Sequence, residues 1–174
     1  DLELVERCRQ GDRAALDELV RTYERPVFNA AYRILGNPDD AADATQTVFL
    51  KAFENLDKYN SKYKFFSWIY RIAINESINM TKRNRNMSPL DEKDFAGREN
   101  PEDEVQAGDL SREIQAGLMK LSENYRTVVV LRHFTDCSYR QISEILEIPE
   151  KTVKSRLYSA RQMMKEQLQA QGVL

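Results

Sequence analysis

The stretch SYRQISEILEIPEKTVKSRL, at residues 138–157, contains two short helical patterns on either side of one tight turn. Ser138 and Gln141 have the spacing of a capping box, so a helix is predicted to begin there with its apolar residues facing inward. Ile148-Pro149-Glu150 predicts the turn, because proline cannot continue a helix. Two short helices joined this closely predict a helix-turn-helix; a plain helical hairpin is the alternative on the pattern alone.

The second of these helices, predicted from Lys151 to about Leu168, has a polar and basic outer face. With Val153 at the centre of the buried stripe, a rotation of about 100° per residue places Arg156 near that stripe. The residues of the opposite face then point away from the core. No acidic residue lies between Lys151 and Lys165, whereas an ordinary solvated helix face alternates its charges. The pattern favours a recognition helix in the DNA major groove, with these candidate contacts: Lys151, Thr152, Lys154, Ser155, Tyr158, Ser159 and Arg161.

Aromatic and basic side chains are interleaved through residues 59–83. Single-stranded nucleic acid needs both, because bases stack on aromatic rings while phosphates pair with cations. A place in the core is the alternative for the apolar members, and we assign Trp68 and Ile72 to it. The loop 60–64 is too hydrophilic for the core, and polar residues recur every fourth position after it, which places them on one helix face. The candidate contacts are Asn60, Ser61, Lys62, Tyr63, Lys64, Arg71, Asn75, Asn79 and Arg83.

Three segments of the chain differ in charge. Residues 1–83 carry 13 basic and 13 acidic side chains, residues 84–109 carry 3 and 8, and residues 110–174 carry 10 and 7. The middle segment has two prolines, two glycines and few large apolar residues, so we expect a flexible acidic linker there. The flanking segments show helical spacing and no sustained strand alternation. The predicted fold is all-α, with two small helical domains joined by that linker.

Helix boundaries are also visible in the first segment. Pro26 is expected to open or kink a helix, and Gly36 is expected to end it. Asn37-Pro38-Asp39-Asp40 predicts the start of the next helix, because asparagine caps it, proline suits its first position and acids face its positive end.

The composition excludes several classes of protein. The 174 residues have a net charge of -2 and include one histidine, His133, and two cysteines, Cys8 and Cys137, far apart in sequence. These cannot supply a zinc site of about four ligands, and no phosphate-binding glycine motif is present. We therefore expect no enzyme activity, no metal and no cofactor. No apolar run approaches the ~20 residues that span a bilayer and no apolar h-region follows a basic start, so we expect neither membrane insertion nor a secretory signal. Two distant cysteines do not make a disulfide framework, so we expect a reducing, cytoplasmic compartment.

Three motifs together resemble the bacterial extracytoplasmic-function (ECF) sigma factors of RNA polymerase, over essentially the whole chain. DAADATQTVFLKAF at residues 40–53 is similar to the family's helix that binds core polymerase. FSWIYRIAIN at residues 66–75, continuing to Arg83, is similar to its promoter-melting helix. LSENYR at 121–126, followed by SY at 138–139 and TVKSRLYSAR at 152–161, is similar to its C-terminal helix-turn-helix.

The resemblance implies a sigma-2 domain at residues 1–83, a linker at 84–109 and a sigma-4 domain at 110–174. Sigma-2 would dock on the clamp coiled coil of the polymerase β′ subunit through Asp43, Gln46 and Phe49. Its loop 60–64 would capture a flipped base of the −10 promoter element, and the polar face after the loop would lie near the opened strand. Sigma-4 would sit on the β flap and bind the −35 element through the recognition helix.

The resemblance also implies an anti-sigma factor that holds the protein inactive. Two positions depart from the family: Asn79 stands where many members carry Asp, and Ser159 stands where a basic residue is frequent. The main alternative function is a free-standing helix-turn-helix regulator, which fits poorly with the sequence pI of about 5.6 because DNA affinity depends largely on phosphate neutralisation. A DNA-free adaptor is a third possibility, and the basic face after Lys151 counts against it.

Overall fold

The computed structural model describes residues 1–87 and 109–173, and within these ranges every regular element is helical. The first range contains α1 (Leu2–Arg9), α2 (Arg13–Leu35), α3 (Pro38–Glu54), a 3-10 turn (Leu56–Lys58) and α4 (Phe65–Met87). The second range contains α5 (Asp109–Lys120), α6 (Glu123–His133), α7 (Tyr139–Leu146) and α8 (Glu150–Ala170). The all-α fold class predicted from the sequence is confirmed.

Local polar contacts fix where the first helices begin and end. The Asn37 side-chain oxygen accepts hydrogen bonds from the backbone N–H groups of Asp39 and Asp40 at 2.9 and 3.1 Å, which confirms the predicted cap of α3. Gly36 ends α2 with φ at 72°, a left-handed conformation that glycine adopts without a steric penalty.

Pro26 does not begin a helix, because it lies inside the uninterrupted helix α2. A proline there removes one backbone hydrogen bond, which normally breaks a helix. Its neighbours Tyr23 and Val27 are buried in the core, and this packing favours continuing the helix. Burial of the neighbouring residues in the core outweighs the poor helix propensity of proline at this position.

Helix α4 continues to Met87, so the segment 84–87 is helical although we placed it in the linker. Asn84 donates a hydrogen bond to the Asp40 carboxylate at 3.0 Å and Arg85 pairs with Glu123 at 3.3 Å, and these contacts extend the last turn. The rest of the predicted acidic linker, at residues 88–108, lies outside the described residues.

The predicted helix-turn-helix is α7 and α8. The Ser138 hydroxyl accepts a hydrogen bond from the Gln141 N–H at 3.1 Å, and the Gln141 side chain accepts one from the Ser138 N–H at 2.8 Å. The capping box is thus confirmed. The turn between the helices places Glu147 at φ 55°.

Most buried apolar residues of the two halves belong to one cluster, and a smaller second cluster within the first half contains Ala31, Tyr32, Leu35, Ala41 and Ala44. Helices α2, α3 and α4 pack on one another, and α8 packs on α5, α6 and α7. The halves meet where α2 contacts α5 and α6 and where α4 contacts α7. The helix-turn-helix therefore stands beside the helix that follows the aromatic loop.

Candidate nucleic-acid interface

The outer face of α8 has the exposure that its sequence predicts. Val153, Leu157 and Ala160 are buried, whereas Arg156 is half-buried. Tyr158 is 68% exposed although it is a large aromatic residue. Of the seven candidate contacts, Thr152 and Ser159 are half-buried, and the other five are exposed: Lys151, Lys154, Ser155, Tyr158 and Arg161.

Side chains from neighbouring helices orient part of this basic face. The Lys154 ammonium lies over the Tyr139 ring at 5.9 Å from its centroid, and the Arg132 guanidinium lies over the same ring at 5.3 Å. Arg161 Nε donates to His133 Nε2 at 3.3 Å. Partial burial, followed by the charges of Arg161 and Arg132, lowers the pKa of His133, so its neutral ring can accept that hydrogen bond at pH 7.

The loop 60–64 is exposed throughout and has a defined shape. The Asn60 side-chain oxygen accepts a hydrogen bond from the Lys62 N–H at 2.9 Å, and its carbonyl accepts one from the Tyr63 N–H at 3.1 Å. The Tyr59 hydroxyl donates to the Tyr63 carbonyl at 2.6 Å. Tyr63 is itself 42% exposed, so its ring is available for stacking.

An aromatic cluster supports the loop from below. Phe65 is fully buried, and its ring centroid lies 5.3 to 5.6 Å from those of Tyr23, Tyr59 and Trp68. Such pairs add stability beyond the area that they bury. Trp68 and Ile72 are half-buried against the core, in agreement with their assignment.

Beyond the loop, the face of α4 divides into an exposed part and a covered part. Asn75, Asn79 and Arg83 are exposed as predicted. Arg71 faces the second half of the chain instead: its Nη2 donates to the Glu144 carbonyl at 2.5 Å and its Nη1 pairs with Glu147 at 3.2 Å. The structure therefore separates Arg71 from the other candidate contacts of this helix.

Glu76, which we did not single out, is a buried carboxylate. It contacts the Lys51 ammonium of α3 and accepts a hydrogen bond from Arg83 Nη2 at 3.1 Å. Glu76 thereby holds Arg83, one of the candidate DNA contacts, in place. The sequence could have shown that Glu76 is buried, because it lies three positions after Ala73 and so falls within the buried stripe of α4.

The candidate polymerase-binding residues on α3 are not all at the surface. Asp43 and Gln46 are exposed, but Phe49 is only 8% exposed and packs in the core. Leu50, which we did not single out, is 63% exposed and lies on the face of Asp43 and Gln46 by helical spacing. An exposed leucine next to polar residues is a more accessible contact than the buried phenylalanine.

The described residues contain no group of three or more histidine, cysteine or acidic side chains that could hold a metal ion. Among the helices in those ranges, none is both long and apolar enough to cross a bilayer.

Comparisons with known proteins cover both halves of the chain. The family described as Sigma-70 region 2 matches residues 19–87, and the family described as Sigma-70, region 4 matches residues 111–164. The chain is 34% identical to the ECF RNA polymerase sigma factor SigW of Bacillus subtilis, over 94% of each chain. It is 31% identical to the RNA polymerase sigma-H factor of Pseudomonas aeruginosa, over 97% of this chain and 94% of the other.

Two solved structures have the same fold at 24% sequence identity. One is CnrH in complex with the cytosolic domain of CnrY, with a TM-score of 0.75 and 96% of each chain covered. The other is the sigma factor RpoE in complex with the anti-sigma factor NepR from Bartonella quintana, with a TM-score of 0.74, covering 88% of this chain and 96% of that one. With both sigma-70 regions matched in order and 94% of its length shared with a relative of 34% identity, the chain belongs to the ECF family of RNA polymerase sigma factors.

Proposed function

We propose that this chain binds core RNA polymerase in the cytoplasm, directs it to promoters with −35 and −10 elements, and helps to open the duplex. The observation that carries the proposal is the pairing of two surfaces in one chain. One is the basic face of α8 from Lys151 to Lys165, a stretch without acidic residues, and the other is the exposed aromatic and basic loop before α4. Membership of the ECF sigma family supports the assignment of the first surface to duplex DNA and of the second to unpaired DNA.

For the −35 element, the outer face of α8 supplies both positioning and sequence recognition. Lys151 and Lys154 are exposed cations that suit phosphates or the acceptor edge of guanine. Ser155 can donate to or accept from a base edge. Tyr158 presents an exposed ring with a hydroxyl, which suits a thymine methyl group or a phosphate.

For the −10 element, the loop supplies a stacking surface and charge. Tyr63 offers its ring to an unpaired base, while Lys62 and Lys64 neutralise the backbone. Asn75 and Asn79 continue the surface along α4. Capturing unpaired bases offsets an unstacking cost of a few kcal/mol, so binding energy opens the duplex. RNA synthesis itself belongs to the polymerase, and this chain needs no cofactor for its part.

For polymerase binding, we propose that α3 contacts the β′ clamp coiled coil through Asp43, Gln46 and the exposed Leu50. The buried Phe49 would act by shaping that surface from beneath. The second half of the chain would dock on the β flap. We further propose control by an anti-sigma factor, because the RpoE structure with the same fold contains one.

In-vitro transcription tests the proposal. Bacterial core polymerase is incubated with a pool of genomic fragments, with and without this protein, and transcript starts are mapped. New starts that share two spaced sequence elements are expected. If core polymerase is competent and no new starts arise, the sigma assignment fails; tight binding of the free protein to DNA would then indicate an operator-binding regulator.

A further inference from the structure

A cleft of about 460 Å³ lies between the loop 60–64 and the start of α7. Its volume falls within the range of roughly 300–1,000 Å³ that small-molecule sites occupy. Ser67, in the first turn of α4, and Ser138, which caps α7, both line the cleft. The first turns of two helices therefore border the same space, and the positive ends of their dipoles favour an anion there.

The charged side chains that line the cleft are mostly basic. Lys62 and Lys64 of the loop line it, as does Arg140 of α7. Glu144 is the one carboxylate among the described residues of the lining, and Arg140 Nε already donates to it at 3.2 Å. Within the described ranges neither lysine ammonium forms a salt bridge. Three cations and one acid leave the lining with a formal charge of +2, which suits an anion with two negative charges.

The Ser67 hydroxyl is an independent indication of a ligand. Ser67 is 4% exposed, and its Oγ has no hydrogen-bond partner among the described residues. Buried hydroxyl groups normally have a partner, because leaving one unpaired costs free energy. An anionic oxygen in the cleft would accept the hydrogen bond that Ser67 can donate.

Tyr63 adds an aromatic ring to the lining. It is partly exposed, and the hydrogen bond from the Tyr59 hydroxyl fixes its backbone. A flat ring such as a nucleobase can stack on it. Gln141 contributes a donor, because its side-chain oxygen is held by the Ser138 N–H and its NH₂ group is left for a ligand. The lining thus suits an anion that carries a flat ring better than a bare anion.

We propose that this cleft binds a nucleoside monophosphate, with its phosphate between the loop lysines and Arg140 and its base on the Tyr63 ring. A phosphate monoester carries a charge of about −1.5 to −2 at pH 7, which matches the charge of the lining. Promoter DNA is a different ligand, because each phosphate of its backbone is a diester with a single negative charge. The site goes beyond the proposed function, and the transcription assay above does not depend on it.

Titration of the full chain with AMP, followed by phosphorus NMR, tests the proposal. Cyclic AMP is the matched ligand, since it has the same base but a diester with one charge, and inorganic phosphate lacks the ring. AMP is expected to bind about tenfold more tightly than either. Equal binding of cyclic AMP and AMP would overturn the charge match, and equal binding of inorganic phosphate would overturn the role of Tyr63. No change in any phosphorus resonance would overturn the site.

Two variants separate a binding role from a structural one. Arg140→Gln is expected to weaken AMP binding about 5-fold. Ser67→Ala is expected to weaken AMP binding without lowering the thermal unfolding midpoint of the free chain, because it removes an unpaired buried hydroxyl. Lys58→Gln is the matched control, since Lys58 is exposed and lies outside the lining. Equal losses in Arg140→Gln and Lys58→Gln, or unchanged AMP binding by Ser67→Ala, would overturn the site.

A dye-labelled single-stranded oligonucleotide without a terminal phosphate distinguishes this site from the surface proposed for unpaired DNA. Its binding to the free chain is followed by fluorescence anisotropy. Arg140→Gln and Lys58→Gln are expected to bind it equally well. An oligonucleotide that binds more tightly than AMP, and loses that binding in Arg140→Gln alone, would assign the cleft to DNA and overturn the nucleotide proposal.

Discussion

The buried carboxylate of Glu76 in α4 contacts the ammonium of Lys51 in α3. The two partners differ in their access to water, because the Glu76 side chain is 5% exposed and the Lys51 side chain is 49% exposed. Arg83, which also contacts Glu76, is 62% exposed. The acid is therefore desolvated while both cations keep much of their hydration. The free energy of unfolding should consequently fall by different amounts when the acid or the lysine is replaced.

Lys51→Met is expected to destabilise the protein more than Glu76→Gln does. Removing Lys51 leaves a buried carboxylate with one cation, at a cost of about 1–3 kcal/mol. Removing the charge of Glu76 leaves two cations that water can solvate, at a cost of roughly 0–1 kcal/mol. Urea unfolding of both variants measures the difference. Equal losses, or a larger loss for Glu76→Gln, would contradict this account.

Ser138→Ala is expected to destabilise the helix-turn-helix by about 1 kcal/mol, because it removes the side-chain acceptor at the start of α7. Ser122→Ala is the matched control, since Ser122 precedes α6 without making a side-chain cap. Thermal unfolding followed by circular dichroism compares them. A similar loss in both variants would show that the capping hydrogen bond contributes little.

Gly36→Ala is expected to cost more than Gly11→Ala. Both glycines have positive φ, at 72° and 86°, so both substitutions incur a left-handed penalty of about 1–2 kcal/mol. Only the Gly36 substitution also meets a neighbour, Met119, since nothing lies within 4 Å of a Cβ on Gly11. Chemical unfolding gives both values, and Met119→Ala in the Gly36→Ala background should recover part of the difference.

Lys154→Ala is expected to weaken promoter binding by the holoenzyme and to flatten its salt dependence, because one phosphate or base contact is lost. Association with core polymerase should be unchanged, since Lys154 is exposed on the outer face of α8 and is not among the residues proposed to contact the polymerase. A gel-shift assay with the holoenzyme measures promoter binding, and co-elution measures association with core polymerase.

Asp43→Arg is expected to impair co-elution with core enzyme. Gel-shift and co-elution assays are made on both variants, and normal co-elution of Asp43→Arg would refute the role proposed for α3.

His133 is expected to make the protein less stable in mild acid. Its pKa is lowered on folding, with partial burial as the main cause, so the unfolded chain binds the proton more tightly. Stability therefore falls as the pH drops through the unfolded value of about 6.5. Unfolding of the wild type and His133→Gln at pH 7 and pH 5 should show a smaller loss in the variant. An identical loss would mean that the Asp136 carboxylate, which favours the imidazolium, offsets the effects of burial and of the Arg161 and Arg132 charges.

The features predicted best from the sequence depend on residues within one or two helical turns. The Ser138 cap and the outer face of α8 are of this kind, since spacing alone determines them. Phe49 was misplaced at the surface because a family motif does not report burial. The partners of Arg71 could not be predicted, because Glu144 lies 73 residues away in sequence and no periodicity connects the two helices.

Trp68 gives the molecule an optical property of its own. It is the single tryptophan of the chain, half-buried, with its ring 5.3 Å from that of Tyr59, whose hydroxyl bonds to the Tyr63 carbonyl. Under the proposed function, a base that stacks on Tyr63 would pull on a backbone tied to the tryptophan's neighbour. Intrinsic fluorescence excited at the red edge of the indole band comes from one site beside the loop, and its emission wavelength is expected to shift when unpaired DNA is captured, without any attached dye.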